Sequence, residues 1–194
     1  MTITAGCSFT TYAEFWGGFA RESRMPDHDT EHLLDDIGWN ILNELQQNAR
    51  ISFAELGRRV GLSTPAITER VRKMEEAGII LGYRAQIDPS KVGLPILAFI
   101  NVKVGGENMS HFMKVAANHP EVLECHRVTG SESFLLKTAV SDVAHLEKLL
   151  DALMPYVATT TSMVLSTTLA WGNIVRPRSQ KDERRALHGS AKRT

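Results

Sequence analysis

The stretch from Ile51 to Ile80, ISFAELGRRVGLSTPAITERVRKMEEAGII, constrains this chain more than any other. It spells two short helices around a tight turn, the second helix rich in Arg and Lys. Ser52 followed by Glu55 is a capping box: the hydroxyl takes an orphan amide of the first turn and the carboxylate reaches back. The helix so begun runs to about Val60, and Gly61 supplies the left-handed residue that ends it. Ser63 can cap the second helix, Pro65 fits its first turn, where no amide partner is required, and Gly78 closes it. Two helices joined by a short Gly-containing turn form a helix-turn-helix, whose second helix can lie in the DNA major groove.

The faces of that second helix suit such a use. Ile67, Val71 and Met74 fall at i, i+4 and i+7, one apolar stripe for docking on the preceding helices. Pro65, Thr68, Glu69, Arg72 and Lys73 point the other way, with Ser63 and Thr64 at the leading end. Arg70 lies on the flank of the stripe, so it reaches a backbone phosphate at most. Ser63, Thr64, Pro65, Thr68, Arg70, Arg72 and Lys73 are therefore the candidate DNA-binding residues. Hydroxyls and guanidinium groups match base edges and phosphate oxygens, and an acid such as Glu69 can accept from a cytosine amine or orient an Arg. The alternative is an ordinary solvated helix of mixed charge.

At 194 residues the chain has room for one large or two small domains, and its formal net charge is zero. Neutrality overall does not oppose DNA binding, because Arg50, Arg58, Arg59, Arg70, Arg72 and Lys73 outnumber Glu55 and Glu69 in this region. Cys7 and Cys125 are too few and too far apart for a disulfide framework. No apolar run reaches membrane length, and the N-terminus lacks the marks of a signal peptide, so a cytoplasmic setting is expected. His111, His119, His126 and His145 show no zinc-ligand spacing. With no Ser-His-Asp order or glycine-rich phosphate loop either, no catalytic residue, metal ligand or cofactor is expected.

Along the chain, residues 1–31 read as an extension expected to be disordered. Within it Tyr12, Phe15, Trp16 and Phe19 could line a short amphipathic helix, weakened by Gly17 and Gly18, and Met25 could be the true start. Residues 32–87 read as the helix-turn-helix domain, opened by a helix from Leu34 to Asn48 with Ile37, Ile41, Leu42 and Leu45 inward. Ile79 to Ile87 alternates as a strand would, which adds a wing, although its second strand is not visible unless the chain returns after Val92. Residues 88–95, with Asp88-Pro89-Ser90 and Gly93-Leu94-Pro95, are the hinge. Residues 96–169 then alternate as β, α, β, β, α, β. The segments are Ile96–Val104, Ser110–Asn118 capped by Ser110, Glu121–Thr129, Ser133–Val140, Val143–Met154 and Thr159–Thr167. Both helices fall on one face of the sheet. Phe99 and Leu135 on the other need a cover, which a second copy can supply. Residues 170–194 form a basic tail, read as a solvated segment with non-specific phosphate attraction as the alternative. The fold class is α+β: a winged helix-turn-helix joined by a hinge to a ferredoxin-like domain.

These motifs, in this order, resemble the Lrp/AsnC family of leucine- and asparagine-responsive regulators. The resemblance rests on LDDIGWNIL at Leu34–Leu42, RISFAELGRRVGLS at Arg50–Ser63 and ERVRKMEEAGIILGY at Glu69–Tyr83. The second module adds ECHRVTG at Glu124–Gly130 and FLLK at Phe134–Lys137. It implies a transcriptional regulator of double-stranded DNA, homodimers that can assemble into octamers, and a small effector, usually an amino acid, bound between subunits. The implied effector region is the turn Val128, Thr129, Gly130 and Ser131 with Ser133, and the strand carrying Thr159 and Thr161. Turn amides and hydroxyls can hold a carboxylate without a formal cation. Alternatively, Gly130 only makes a hairpin and the threonines only build a strand.

Two positions depart from the family pattern. Ser133 stands where many members carry an acid, so either Glu132 substitutes or effector preference differs. Gly38 stands where Asp is frequent, which should weaken helix propensity without touching function. Two other functions share the layout. Sirohaem decarboxylases have the same two modules with DNA binding lost, against which the hydroxyl-rich, basic second helix argues. A ligand-binding module acting only through protein contacts is the third reading.

Overall fold

The computed structural model describes residues 28–153 and 157–177. The amphipathic pattern at Tyr12–Phe19 and the Met25 start lie outside them. Two compact units emerge: one takes the chain up to Tyr83 and again from Gly172, the other spans Arg84–Trp171.

The first unit is helical. A short helix α1 (His28–Glu31) and a 3-10 turn (His32–Leu34) precede α2 (Asp36–Gln47), α3 (Phe53–Val60) and α4 (Thr64–Glu76). Of the span 1–31 expected to be a disordered extension, the described residues 28–31 are helical. Asp35 caps α2: its Oδ1 accepts from the Gly38 N–H at 2.7 Å, an arrangement worth about 1 kcal/mol. Gly38 is a packing contact rather than a weak helix residue. A Cβ there would lie 1.8 Å from the Leu33 carbonyl oxygen and 3.0 Å from Met74 Cε, so the 3-10 turn can sit on α2 only without one.

Ser52 caps α3 by accepting from the Glu55 N–H at 3.2 Å. The Glu55 carboxylate turns to Arg59 Nε at 2.8 Å and to Arg58, so the expected return arm of the capping box is exchanged for ion pairs. Gly61, at φ +77°, ends α3. Ser63 occupies the position before α4, yet its hydroxyl makes no capping bond, and Pro65 alone supplies the expected first-turn chemistry. The end of α4 is a Schellman motif. The Gly78 N–H donates to Glu75 O at 3.0 Å and the Ile79 N–H to Met74 O at 2.9 Å, with Gly78 at φ +68°. Ile41, Leu56, Ile67, Val71 and Met74 are at most 1% exposed and form the core with Leu45. Burying each of the larger side chains stabilises by roughly 1.5–3 kcal/mol.

No strand forms between Ile79 and Ile87, where a wing strand was expected. A ladder needs a partner. After a 3-10 turn at Pro89–Val92 the chain enters a strand whose two edges are already taken. Tyr83 instead donates its hydroxyl to Glu75 Oε1 at 3.0 Å, fastening the segment to the end of α4. Burial, then the Glu75 carboxylate, pushes this phenol up to about 12.

The second unit holds β1 (Ile96–Lys103), α5 (Met109–Ala117), β2 (Val122–Arg127), β3 (Phe134–Val140), α6 (Val143–Leu153) and β4 (Ala158–Met163). The strands form one antiparallel sheet in the order β2-β3-β1-β4, the ferredoxin-like arrangement. Ser110 lies inside α5 rather than capping it, because a 3-10 turn at Gly106–Asn108 leads into the helix. Ala98, Ile100, Val102, Phe134 and Leu136 alternate onto one face and pack with Phe112, Leu146, Leu149 and Leu153. Thr138 is fully buried on β3 and donates to Ala98 O at 3.1 Å, which satisfies its hydroxyl. Leu97, Phe99 and Leu135 alternate onto the opposite face and are only half-buried.

Candidate nucleic-acid interface and effector loop

The stripe of α4 buries Ile67, Val71 and Met74, which turns Thr64, Pro65, Thr68, Glu69, Arg72 and Lys73 to the surface with Ser63 just ahead. Thr68 donates its hydroxyl to Thr64 O at 2.9 Å, leaving its methyl and lone pairs outward. The surface cations are not loose. Glu69 grips Arg72 through two bonds, Nε at 3.0 Å and Nη2 at 2.8 Å, while Glu76 holds Nη1 and Lys73 lies 3.5 Å from Glu69. The Arg72 hydrogen bond, then its charge and that of Lys73, keeps the Glu69 carboxyl below its ordinary range although slight desolvation opposes this. The interface thus presents a flat guanidinium already oriented by an acid, a group suited to base edges or phosphate.

Arg70 has another job. It pairs with Asp35 and donates to His32 O at 3.2 Å, pinning α4 to the chain just before α2. Its Nε is buried without a partner among the described residues, and its guanidinium bridges α4 to Asp35 and His32. Burial would raise the Asp35 carboxyl, but the Gly38 amide and then Arg70 hold it below its usual value. Arg58 and Arg59 are likewise occupied, by Glu55 and, for Arg59, by Glu44 at 2.7 Å. Much of the basic surplus counted along the sequence is therefore internally paired.

In the second unit the residues of the expected effector region gather at one end of the sheet. Phe134, Val102 and Thr159 lie side by side across β3, β1 and β4, with Leu136, Ile100 and Thr161 one row further in. The loop of Val128, Thr129, Gly130 and Ser131 closes beside that first row: the Val128 N–H donates to Ser133 O at 3.1 Å and the Ser133 N–H to Val102 O at 2.7 Å. Gly130 adopts φ +118°, and a Cβ on it would meet nothing within 4 Å. Among the described residues the amides of Thr129, Gly130, Ser131 and Glu132 have no acceptor. Ser133 is committed elsewhere. Its hydroxyl accepts from the Val104 N–H and donates to Val104 O, both at 3.2 Å, tying the loop to the end of β1. Thr159 and Thr161 are half-buried on the helix-covered face.

Residues 34–80 match the winged helix-turn-helix DNA-binding family and residues 97–171 the Lrp/AsnC ligand binding domain. The first match stops at Ile80, so most of the Ile79–Ile87 segment that forms no strand lies beyond it. The uncharacterized HTH-type transcriptional regulator YezC of Bacillus subtilis is 40% identical over 135 residues, covering 70% of this chain and 96% of the relative. The chain belongs to the Lrp/AsnC family of transcriptional regulators. The Leucine-responsive regulatory protein of Haemophilus influenzae is 37% identical, over 68% of this chain and 81% of its own. The structure of B. subtilis LrpC superposes with a TM-score of 0.68 at 33% identity, covering 71% of this chain and 99% of that one. Transcriptional regulator NMB0573 of Neisseria meningitidis, in complex with L-methionine, does so at 0.69 and 31% identity, covering 73% and 96%.

Within this Lrp/AsnC fold one further cluster escaped the sequence reading. Ser141 Oγ lies 3.1 Å from His145 Nδ1, and His145 Nε2 lies 2.9 Å from Glu121 Oε1, in the manner of a hydrolase triad. The hydroxyl, however, donates to Asp142 Oδ2 at 2.8 Å, and the Asp142 carboxylate also caps α6 by accepting from the His145 N–H at 2.8 Å. A negative charge beside the hydroxyl opposes an oxyanion, so the cluster is a helix cap fastened to β2. Ser141 and His145 are four residues apart, but Glu121 lies 24 residues before His145 and only the fold brings it in. Among the described residues no helix is long and apolar enough to cross a membrane, and no three His, Cys, Asp or Glu converge as a metal site.

Proposed function

We propose that this regulator acts in the cytoplasm, reads double-stranded DNA through the exposed face of α4, and adjusts that binding to an amino acid held by the loop at 128–133. The observation that carries the reading is the geometry of α4: its apolar stripe is buried, which leaves Thr64, Pro65, Thr68, Arg72 and Lys73 together on one exposed face. Pro65 and the Thr68 methyl suit apolar contact with a thymine methyl. Arg72 and Lys73 suit guanine edges or phosphates. The L-methionine complex of the Neisseria relative supports an amino acid as effector. The run of amides at Thr129–Glu132 offers donors for its carboxylate, with Thr129 and Ser131 adding hydroxyls, Ser133 positioning the loop, and Thr159 and Thr161 at the same sheet end.

A second copy of the chain would cover the sheet face that carries Leu97, Phe99 and Leu135, making the active species a dimer or a larger even assembly such as an octamer. An effector at a subunit boundary would then bind two arrangements unequally and shift between them.

The test is a shift assay on the gene's own upstream region, with and without a panel of amino acids, beside light scattering and calorimetric titration. The expected result is sequence-specific binding by an oligomer, altered by one or a few amino acids. Gly130→Val, strained at φ +118° and bulky in an open loop, is expected to lose the amino-acid response while DNA binding persists. A monomer that binds no DNA, or one that copurifies with a coloured tetrapyrrole, overturns the reading.

A further inference from the structure

The exposed surface of α4 is not basic. Among its exposed residues Glu69, Glu75 and Glu76 outnumber Arg72 and Lys73. A helix that met DNA through bulk attraction to phosphate would carry the opposite balance, since that attraction grows with each cation brought to the backbone. Stability does not explain the ion pairs either: every member is half-exposed or more, and exposed pairs on a helix contribute little to folding. What the acids do change is the geometry of Arg72. Glu69, about one turn earlier, accepts from its Nε at 3.0 Å and its Nη2 at 2.8 Å through separate oxygens, and Glu76, about one turn later, accepts from Nη1. The guanidinium is gripped from both sides along the helix, which fixes its plane. A guanidinium carries five N–H groups. Glu69 accepts from two and Glu76 from one, so one N–H remains on each terminal nitrogen. Two donors on a fixed planar fork match the O6 and N7 acceptors that guanine presents in the major groove.

We propose that Glu69 is a specificity-determining residue of α4: it holds Arg72 for a guanine edge and cancels the pull of that cation on phosphate, so that tight binding depends on the right base. The proposal rests on the DNA-binding reading of α4 above and deepens it. Glu69 acts through Arg72, as a positioning residue. An Arg free to swing satisfies itself on any nearby phosphate, a contact that carries no sequence. Once held by Glu69, it reaches a phosphate only by giving up a two-bond, charge-assisted pair, whereas a guanine takes the remaining N–H groups with that pair intact. Lys73, 3.5 Å from Glu69, is restrained by the same carboxylate.

The experiment is a double-mutant cycle on the full chain: the parent, Glu69→Gln, Arg72→Ala, and the two substitutions together. Affinity is measured on a duplex of the gene's own upstream region and on an unrelated duplex of equal length, between about 50 and 200 mM salt. Gln keeps the length of Glu and loses its charge, so Glu69→Gln should tighten the unrelated duplex and steepen its log–log salt dependence by about 1. The ratio of the two affinities should fall about 10-fold or more, the size of one bidentate base contact. In the Arg72→Ala background Glu69→Gln should leave that ratio where it is. Loss of folded protein lowers binding to both duplexes together and does not move the ratio, so the ratio reports positioning. An unchanged ratio in Glu69→Gln overturns the proposal. An equal fall with Arg72 absent also overturns it, because Glu69 would then read a base itself. A parent chain that binds neither duplex overturns the underlying reading of α4 instead, which separates the two failures.

Discussion

Gly57 is the position where a single methyl group tests the helix-turn-helix geometry. It sits in α3, buried where the turn folds back, and a Cβ there would lie 2.5 Å from the Leu62 carbonyl oxygen and 3.4 Å from Ile67 Cγ1. In an exposed helix Gly→Ala gains about 1 kcal/mol from propensity alone. Here the obstacle is main chain, and an ordinary carbon–oxygen contact of about 3.3 Å requires the turn to retreat by roughly 0.8 Å. The turn cannot retreat freely, because the Leu62 N–H donates to Gly57 O at 2.8 Å, a bond worth about 1 kcal/mol. Overpacking of this kind costs about 1–3 kcal/mol, and with the strained bond it outweighs the propensity gain. We expect Gly57→Ala to destabilise the helical unit by about 2 kcal/mol net, lowering its thermal midpoint by roughly 10 °C. Circular dichroism melts and a shift assay on the same preparation provide the check. The displaced turn should also re-aim α4 and weaken specific DNA binding. A midpoint equal to or above the parent, with unchanged DNA affinity, would refute the reasoning. Gly61→Ala is the natural comparison. Nothing lies within 4 Å of its Cβ, so only the strain of φ +77°, about 1 kcal/mol, should register.

Other perturbations separate the remaining assignments. Arg72→Ala removes a surface cation and unmasks Glu69 and Glu76, so specific DNA affinity should fall about 10- to 100-fold with the oligomer and melting curve unchanged; equal affinity in a salt-controlled shift assay removes Arg72 from the interface. Ser133→Ala leaves both main-chain groups of Val104 without their present partner, and chemical denaturation of the sheet unit should report a loss of about 1–3 kcal/mol; no loss would show that solvent replaces the hydroxyl. Glu121 tests acid stability. Burial would raise its carboxyl, but the His145 hydrogen bond and the His119 charge hold it below the ordinary 4.5. Its contribution is present above that value and fades as pH falls through the depressed one, so Glu121→Gln should flatten the acid limb of a melting-point profile; an unaltered limb refutes the pairing. Gly38→Ala should displace the turn at His32–Leu34 and raise hydrogen exchange there, since its Cβ would meet Leu33 O at 1.8 Å; unchanged protection would show that the turn has slack.

What the chain declares locally is what could be read along it. The Ser52 cap, the left-handed Gly61 and Gly78, and the Ile67-Val71-Met74 stripe depend on partners a few residues away and on helical period, so they are visible as spacing. The order of strands and helices in the second unit is equally local, because alternation and period differ between the two. Tertiary structure decided which groups remain available. Arg70 was legible as a flank residue of the stripe, but only the fold put Asp35 beside it, and only the fold set the Ser133 hydroxyl against both main-chain groups of Val104. The Ile79–Ile87 alternation lacked a partner, and Gln46 captured the main chain of Ile174, 128 residues away. A charge or hydroxyl reveals its chemistry in the sequence. Its partner is set by distance in space, through interactions that fall off within a few ångströms and that only the folded chain brings into range.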